Sequence, residues 1–193
     1  IMDTKNIIIV GVGGQGTLLA SKIMGRVFMD EGFDVKVSEV HGMSQRGGSV
    51  VTYVRYGDSV ASAVVDKGEA DMIISFEKLE SARWLPYLKK DGVLITNLQE
   101  IDPMPVIMGK AVYPSGILET LAGMGVKTVG VDASQLAEEA GNVRAANLIL
   151  LGVASRFIDL PENVWLTAIR ATVPPKTIEV NLTAFAKGRA CAE

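Results

Sequence analysis

The stretch Ile7-Ile8-Ile9-Val10-Gly11-Val12-Gly13-Gly14-Gln15-Gly16 constrains this chain more than any other. Its β-branched apolar run suits a strand buried on both faces. Beyond the glycines, Leu19, Ile23 and Val27 recur at helical spacing, and Ala20, Met24 and Phe28 widen the same face, which predicts a helix over 16–31. Gly11, Gly13 and Gly16 have the spacing of a dinucleotide-binding turn, in which one glycine makes the turn, one lets the backbone approach a phosphate and one brings helix and strand close. Amides at the helix start then face an anion. The same glycines equally serve a bare strand-to-helix turn with no ligand, and both readings stand at this point.

A length of 193 residues suits one domain, 1–193, with a sizeable core. Ile1 ahead of Met2 is set aside as an addition before the start. No apolar stretch approaches the ~18 residues of a membrane span. Asp3 and Lys5 precede only a short apolar run, so no secretory signal is read. A net charge of -3 without a basic stripe gives no reason to expect nucleic acid or an anionic membrane. The single cysteine, Cys191, excludes an internal disulfide framework and agrees with a cytoplasmic location. An iron-sulfur cluster takes about four thiolates and a catalytic zinc about three protein ligands. With one Cys and one His (His41), no metal site is assigned.

The second strand is expected over 35–40, and Glu39 stands where an acid that contacts a cofactor ribose would stand. The loop that follows, His41-Gly42-Met43-Ser44-Gln45-Arg46-Gly47-Gly48-Ser49, is polar and glycine-rich, the composition of a loop that serves a site. Arg46 carries a planar fork for carboxylate or phosphate, and the glycines after it can present backbone amides. His41 is read as a proton carrier or as a satisfied structural histidine. Residues 49–56 alternate, meet Gly57-Asp58 and resume over 60–65, which predicts a β-hairpin insertion.

Strands over 71–76, 93–96 and 126–131, with short helices over 77–85 and 116–122, continue the α/β alternation. From Asp132 the pattern becomes helical. Val143, Ala146, Leu150, Ala154 and Phe157 share one face; Pro161 opens a second helix; and Ile178, Leu182 and Phe185 mark a third after Pro174-Pro175. Trp84 and Trp165 are read as core or interface anchors. The expected fold is therefore α/β and Rossmann-like, a mainly parallel sheet with helices on both faces and a β-hairpin insertion.

The Gly11–Gly16 loop with Gln15, the segment centred on Gln45-Arg46-Gly47-Gly48, the Gly57-Asp58 turn and the pattern Asn181, Phe185, Gly188 resemble the gamma domain of 2-oxoacid:ferredoxin oxidoreductases over nearly the whole chain. A separate chain of this length with Met43-Ser44-Gln45-Arg46-Gly47-Gly48 resembles most the beta subunits of the indolepyruvate branch. The resemblance implies CoA-dependent oxidative decarboxylation of arylpyruvates such as indolepyruvate, with ferredoxin as electron acceptor. It also implies a larger alpha subunit that holds thiamine diphosphate and iron-sulfur clusters, since this chain has too few cysteines and Gly57-Asp58 is followed by Ser59 rather than by a thiamine-diphosphate signature. No cofactor is expected on this chain alone, CoA enters as co-substrate, and ferredoxin is met through the complex.

Candidate cofactor-binding residues are Gly11, Gly13, Gly14, Gln15, Gly16, Ser44, Arg46 and Gly47, with no catalytic residue assigned. Two other classes use the same residues: a stand-alone NAD- or FAD-binding oxidoreductase with Glu39 on the ribose, and a structural subunit whose glycines serve only the fold.

Overall fold

The computed structural model describes residues 3–39 and 48–191. Among them the chain forms eight α-helices and a six-stranded sheet of order β2-β3-β1-β4-β5-β6, in which β1 is Lys5–Val12, β2 Asp34–Glu39, β3 Ser49–Gly57, β4 Ala70–Ser75, β5 Leu88–Asn97 and β6 Lys127–Val131. Strands β1, β4, β5 and β6 run parallel. Strand β3 is antiparallel to both β1 and β2, with Val12 opposite Ser49 and Glu39 opposite Thr52.

The β-branched run of β1 is buried from Asn6 to Gly11, as a central strand requires. Ile7 and Ile9 face one layer, made by α1 (Thr17–Asp30), α5 (Ala133–Glu139), α6 (Ala146–Ser155), α7 (Glu162–Thr172) and α8 (Ile178–Ala190). Ile8 and Val10 face the other, where α2 (Lys78–Trp84) and α4 (Ile117–Gly123) pack. A one-turn helix, α3 (Met104–Ile107), lies in the crossover between β5 and α4. Trp165 is fully buried between Phe28 and Phe185, a core anchor as expected, and the half-buried Trp84 packs with Tyr53 and Tyr87.

The α/β class, the mainly parallel sheet and the helices on both faces stand as expected. One detail does not: residues 60–65 form no strand. Arg55 donates to the carbonyls of Ser62 and Val64, each at 2.9 Å, so the groups a ladder would use are taken by a guanidinium. Val60 and Val65 sink into the interior as plugs of an extended loop. The hairpin partner of β3 is β2 instead, joined through 40–48.

At the C-terminal end of the fold, α6 and α8 cross backbone to backbone. A Cβ on Gly152 would lie 2.2 Å from the carbonyl oxygen of Phe185, and one on Gly188 would lie 2.0 Å from that of Ile149.

Candidate functional site

Strands β1, β4, β5 and β6 all end on one edge, the edge where parallel sheets place their ligands. At the end of β1 the chain turns through Gly14 (φ 100°) and Gly16 (φ 88°), both in the left-handed region that glycine alone enters cheaply. Gly16 starts α1 with no side-chain cap, so the first amides of that helix are left facing outward. The glycines divide by role. A Cβ on Gly11 would strike Gln15 Oε1 at 2.8 Å and Phe76 Cβ at 2.9 Å, and one on Gly16 would strike Asn147 Nδ2 at 2.9 Å, so both are small because the protein itself is close. Gly14 has nothing within 4 Å and is the glycine that faces open space. The Gly13 N–H donates to the Gly48 carbonyl at 2.9 Å, which ties the loop to the end of the 40–48 connection.

The Gln15 side chain stitches three strand ends together. Its Oε1 accepts the Val12 N–H at 2.7 Å, and its Nε2 donates to the Phe76 carbonyl and to Gln99 Oε1, each at 2.9 Å. Asn97 Oδ1 accepts the Ala133 N–H at 3.0 Å, fixing the start of α5 beside them. Between these elements opens a cleft of about 560 Å³, bordered by Gly14, Gln15, Gly16, Asn97, Gln99 and, across from the glycine loop, Arg144. Arg144 sits on the short turn into α6, where Asn142 Oδ1 accepts its N–H at 3.0 Å; it is exposed and makes no ion pair among the described residues. The glycine loop and a cation thus flank one cleft, an arrangement suited to an anionic group.

Reading the sequence missed Arg144. The signal available was the Asn cap at Asn142 just ahead of an apolar helix, which marks a helix start without saying what it faces. Of the other candidates, Ser44, Arg46 and Gly47, together with His41, lie outside the described residues. Glu39 ends β2 and accepts a hydrogen bond from Ser21 Oγ at 3.1 Å. In a dinucleotide-binding fold the ribose acid ends the strand next to β1, and here β3 occupies that place, so Glu39 stands one strand farther out.

Beneath the edge, the 1 % exposed Glu77 accepts hydrogen bonds from Glu80 N–H at 2.9 Å, Ile101 N–H at 3.1 Å and the Tyr113 hydroxyl. Burial, and then the bond to Glu77, pushes the Tyr113 hydroxyl far above the ordinary tyrosine range. This carboxylate is fully used in anchoring the crossover to α2, a structural task. Cys191 is exposed at the end of α8, and no group of three or more His, Cys, Asp or Glu among the described residues is placed to hold a metal.

The profile of pyruvate ferredoxin/flavodoxin oxidoreductases matches residues 6–191, from the start of β1 to the end of α8. The chain belongs to that family. A relative from Thermococcus kodakarensis, named indolepyruvate oxidoreductase subunit IorB, is 46% identical over 194 residues, covering 97% of this chain and 95% of the relative. Two solved structures share the fold. The gamma subunit of a keto/oxoacid ferredoxin oxidoreductase from Geobacter sulfurreducens superposes with a TM-score of 0.73 at 22% identity, covering 97% of this chain and 98% of that one. A 2-oxoglutarate:ferredoxin oxidoreductase from Magnetococcus marinus, solved with 2-oxoglutarate, coenzyme A and succinyl-CoA bound, gives a TM-score of 0.76 at 20% identity. It aligns over 98% of this chain but 31% of that longer one, so there the same fold is one part of a larger polypeptide.

Proposed function

We propose that this chain is the accessory subunit of a cytoplasmic 2-oxoacid:ferredoxin oxidoreductase that converts arylpyruvates such as indolepyruvate, with CoA, into aryl-acetyl-CoA and passes electrons to ferredoxin. The observation that carries this reading is the 46% identity to a subunit named for indolepyruvate oxidation, over nearly the full length of both chains. A larger subunit supplies the redox chemistry: a four-thiolate cluster needs ligands that a chain with Cys191 alone does not have.

The part played by this chain is at the glycine-loop edge. Gly14 and the uncapped start of α1 offer amides, Arg144 offers a charge across the cleft, and Gly48, whose carbonyl accepts the Gly13 N–H, directly follows in sequence the segment that carries the candidates Ser44, Arg46 and Gly47. We assign this edge to the phosphates of CoA or to the mouth of the partner's active site; CoA is bound in the Magnetococcus marinus relative. A stand-alone NAD or FAD enzyme fits less well, because Glu39 is displaced by β3 from the position of a ribose acid.

The test is to purify the complex from its source, identify what travels with this chain, and assay ferredoxin reduction with indolepyruvate and CoA. Turnover only in the presence of a larger cluster-bearing subunit is the expected result. Turnover by the isolated chain, or nicotinamide-cofactor binding by it, would overturn the assignment.

A further inference from the structure

A second cavity, of about 380 Å³, opens at the opposite edge of the sheet, beside Lys5 where β1 begins. At roughly 3.3 Å per residue the length of β1 separates it from the glycine loop by about 25 Å. Its walls are apolar, from Ile7, Met72, Val93, Ile158 and Leu160, and its size falls at the lower end of the range for small-molecule sites.

Tyr56 gives this cavity a polar point. The residue is 6 % exposed, its ring stacked on Phe28 at 3.7 Å between centroids and meeting Phe33 edge-on at 5.5 Å. Its hydroxyl has no hydrogen-bond partner among the described residues, and the residue lines the cavity. Burial, with Asp71 adding to it, pushes that hydroxyl up to about 12, so it is a proton donor at neutral pH. The hydroxyl is thus a donor free to face the cavity, where a bound molecule would supply its acceptor.

The rim carries both signs of charge. Asp71 is engaged by Lys89 Nζ and by the Asn6 N–H, each at 2.8 Å. Lys5 and Asp159 are exposed, and neither takes part in an ion pair among the described residues. A single anion or cation would satisfy one of them and be repelled by the other, whereas a zwitterion satisfies both.

We propose that this cavity binds a small apolar α-amino acid, its side chain among Ile7, Met72 and Leu160, its carboxylate meeting Lys5 and the Tyr56 hydroxyl, and its ammonium meeting Asp159. The site is separate from the glycine-loop edge and does not depend on the function assigned there.

The experiment is calorimetric titration of the full chain with L-phenylalanine and with L-leucine, set beside phenylacetate and 2-phenylethylamine, which each keep one of the two charges. One of the amino acids should bind one to one and about tenfold tighter than either single-charge analogue. Tyr56→Phe keeps the ring and its stacking, so its thermal midpoint should match the parent while its affinity falls about tenfold. Lys5→Gln and Asp159→Asn should each erase the preference for the zwitterion. No binding of either amino acid at millimolar concentration, an analogue that binds as tightly as phenylalanine, or an unchanged affinity in a normally folded Tyr56→Phe variant would overturn the proposal.

Discussion

Gln15 was read from the sequence as part of a ligand loop, and the structure shows what its amide does within the protein: one side chain closes the ends of β1, β4 and β5. Gln15→Ala leaves the Val12 N–H and the Phe76 carbonyl without these partners. It should lower the unfolding free energy by about 1–3 kcal/mol, seen as a lower urea midpoint at unchanged slope. Arg46→Ala concerns function instead. In the reconstituted complex it should weaken apparent CoA affinity about tenfold or more while gel filtration shows normal assembly, the loss expected for a charge-assisted phosphate contact. Unchanged affinity would make Arg46 an ordinary arginine. Tyr56 and Tyr113 predict an alkaline limit. Both hydroxyls are held above their unfolded value of 10, so the stability they contribute is complete below that pH and is lost as pH rises above it towards the folded value. Urea midpoints should therefore fall between pH 10 and about 12, the range set by Tyr56, and Tyr56→Phe should reduce the fall. The site itself was only half visible in the residues. Gly14 and Gly16 announce their turn because few other residues adopt it, whereas Arg144 is one arginine among many until the fold sets it across from Gly14.

At the scale of elements, the crossing of α6 and α8 admits no added atom. Gly188→Ala would drive a methyl into the Ile149 backbone, which cannot rotate away as a side chain could. The helices must separate, at a cost of about 1–3 kcal/mol or more, and the thermal midpoint should fall accordingly. A surface substitution of similar size, such as Gly123→Ala, meets nothing within 4 Å and serves as the control. The helices were legible because their apolar faces repeat at 3.6 residues, and Pro161 and Pro174-Pro175 punctuate them. That two of them touch through glycine was not, since a helical glycine at a contact looks in sequence like any weak helix former. Residues 60–65 misled for a related reason. Their spaced valines have a strand's period, but what decides is whether their carbonyls find a neighbouring strand, and Arg55 reached those of Ser62 and Val64 instead.

The order of strands is a property of the whole molecule and leaves little trace in local pattern: β3 has the same period of two wherever it sits. Its position between β1 and β2 decides the character of the edge, because it moves Glu39 outward and sets Gly48, just ahead of β3, against Gly13 of the glycine loop. The crossing of the two C-terminal helices also has a meaning in time. From Asn147 to Ser155 every residue of α6 is buried, and its cover includes α8, which is not finished until residue 190. During synthesis the sheet strands all leave the ribosome before that cover exists, and a chain stopped after Val173 would present the α6 surface to solvent. Such a truncated chain should be aggregation-prone and protease-sensitive where the chain through residue 191 is not, a difference that limited proteolysis of stalled nascent chains would show. The face of α6 that α8 closes is thus the part of the described fold whose cover is made latest as the polypeptide grows.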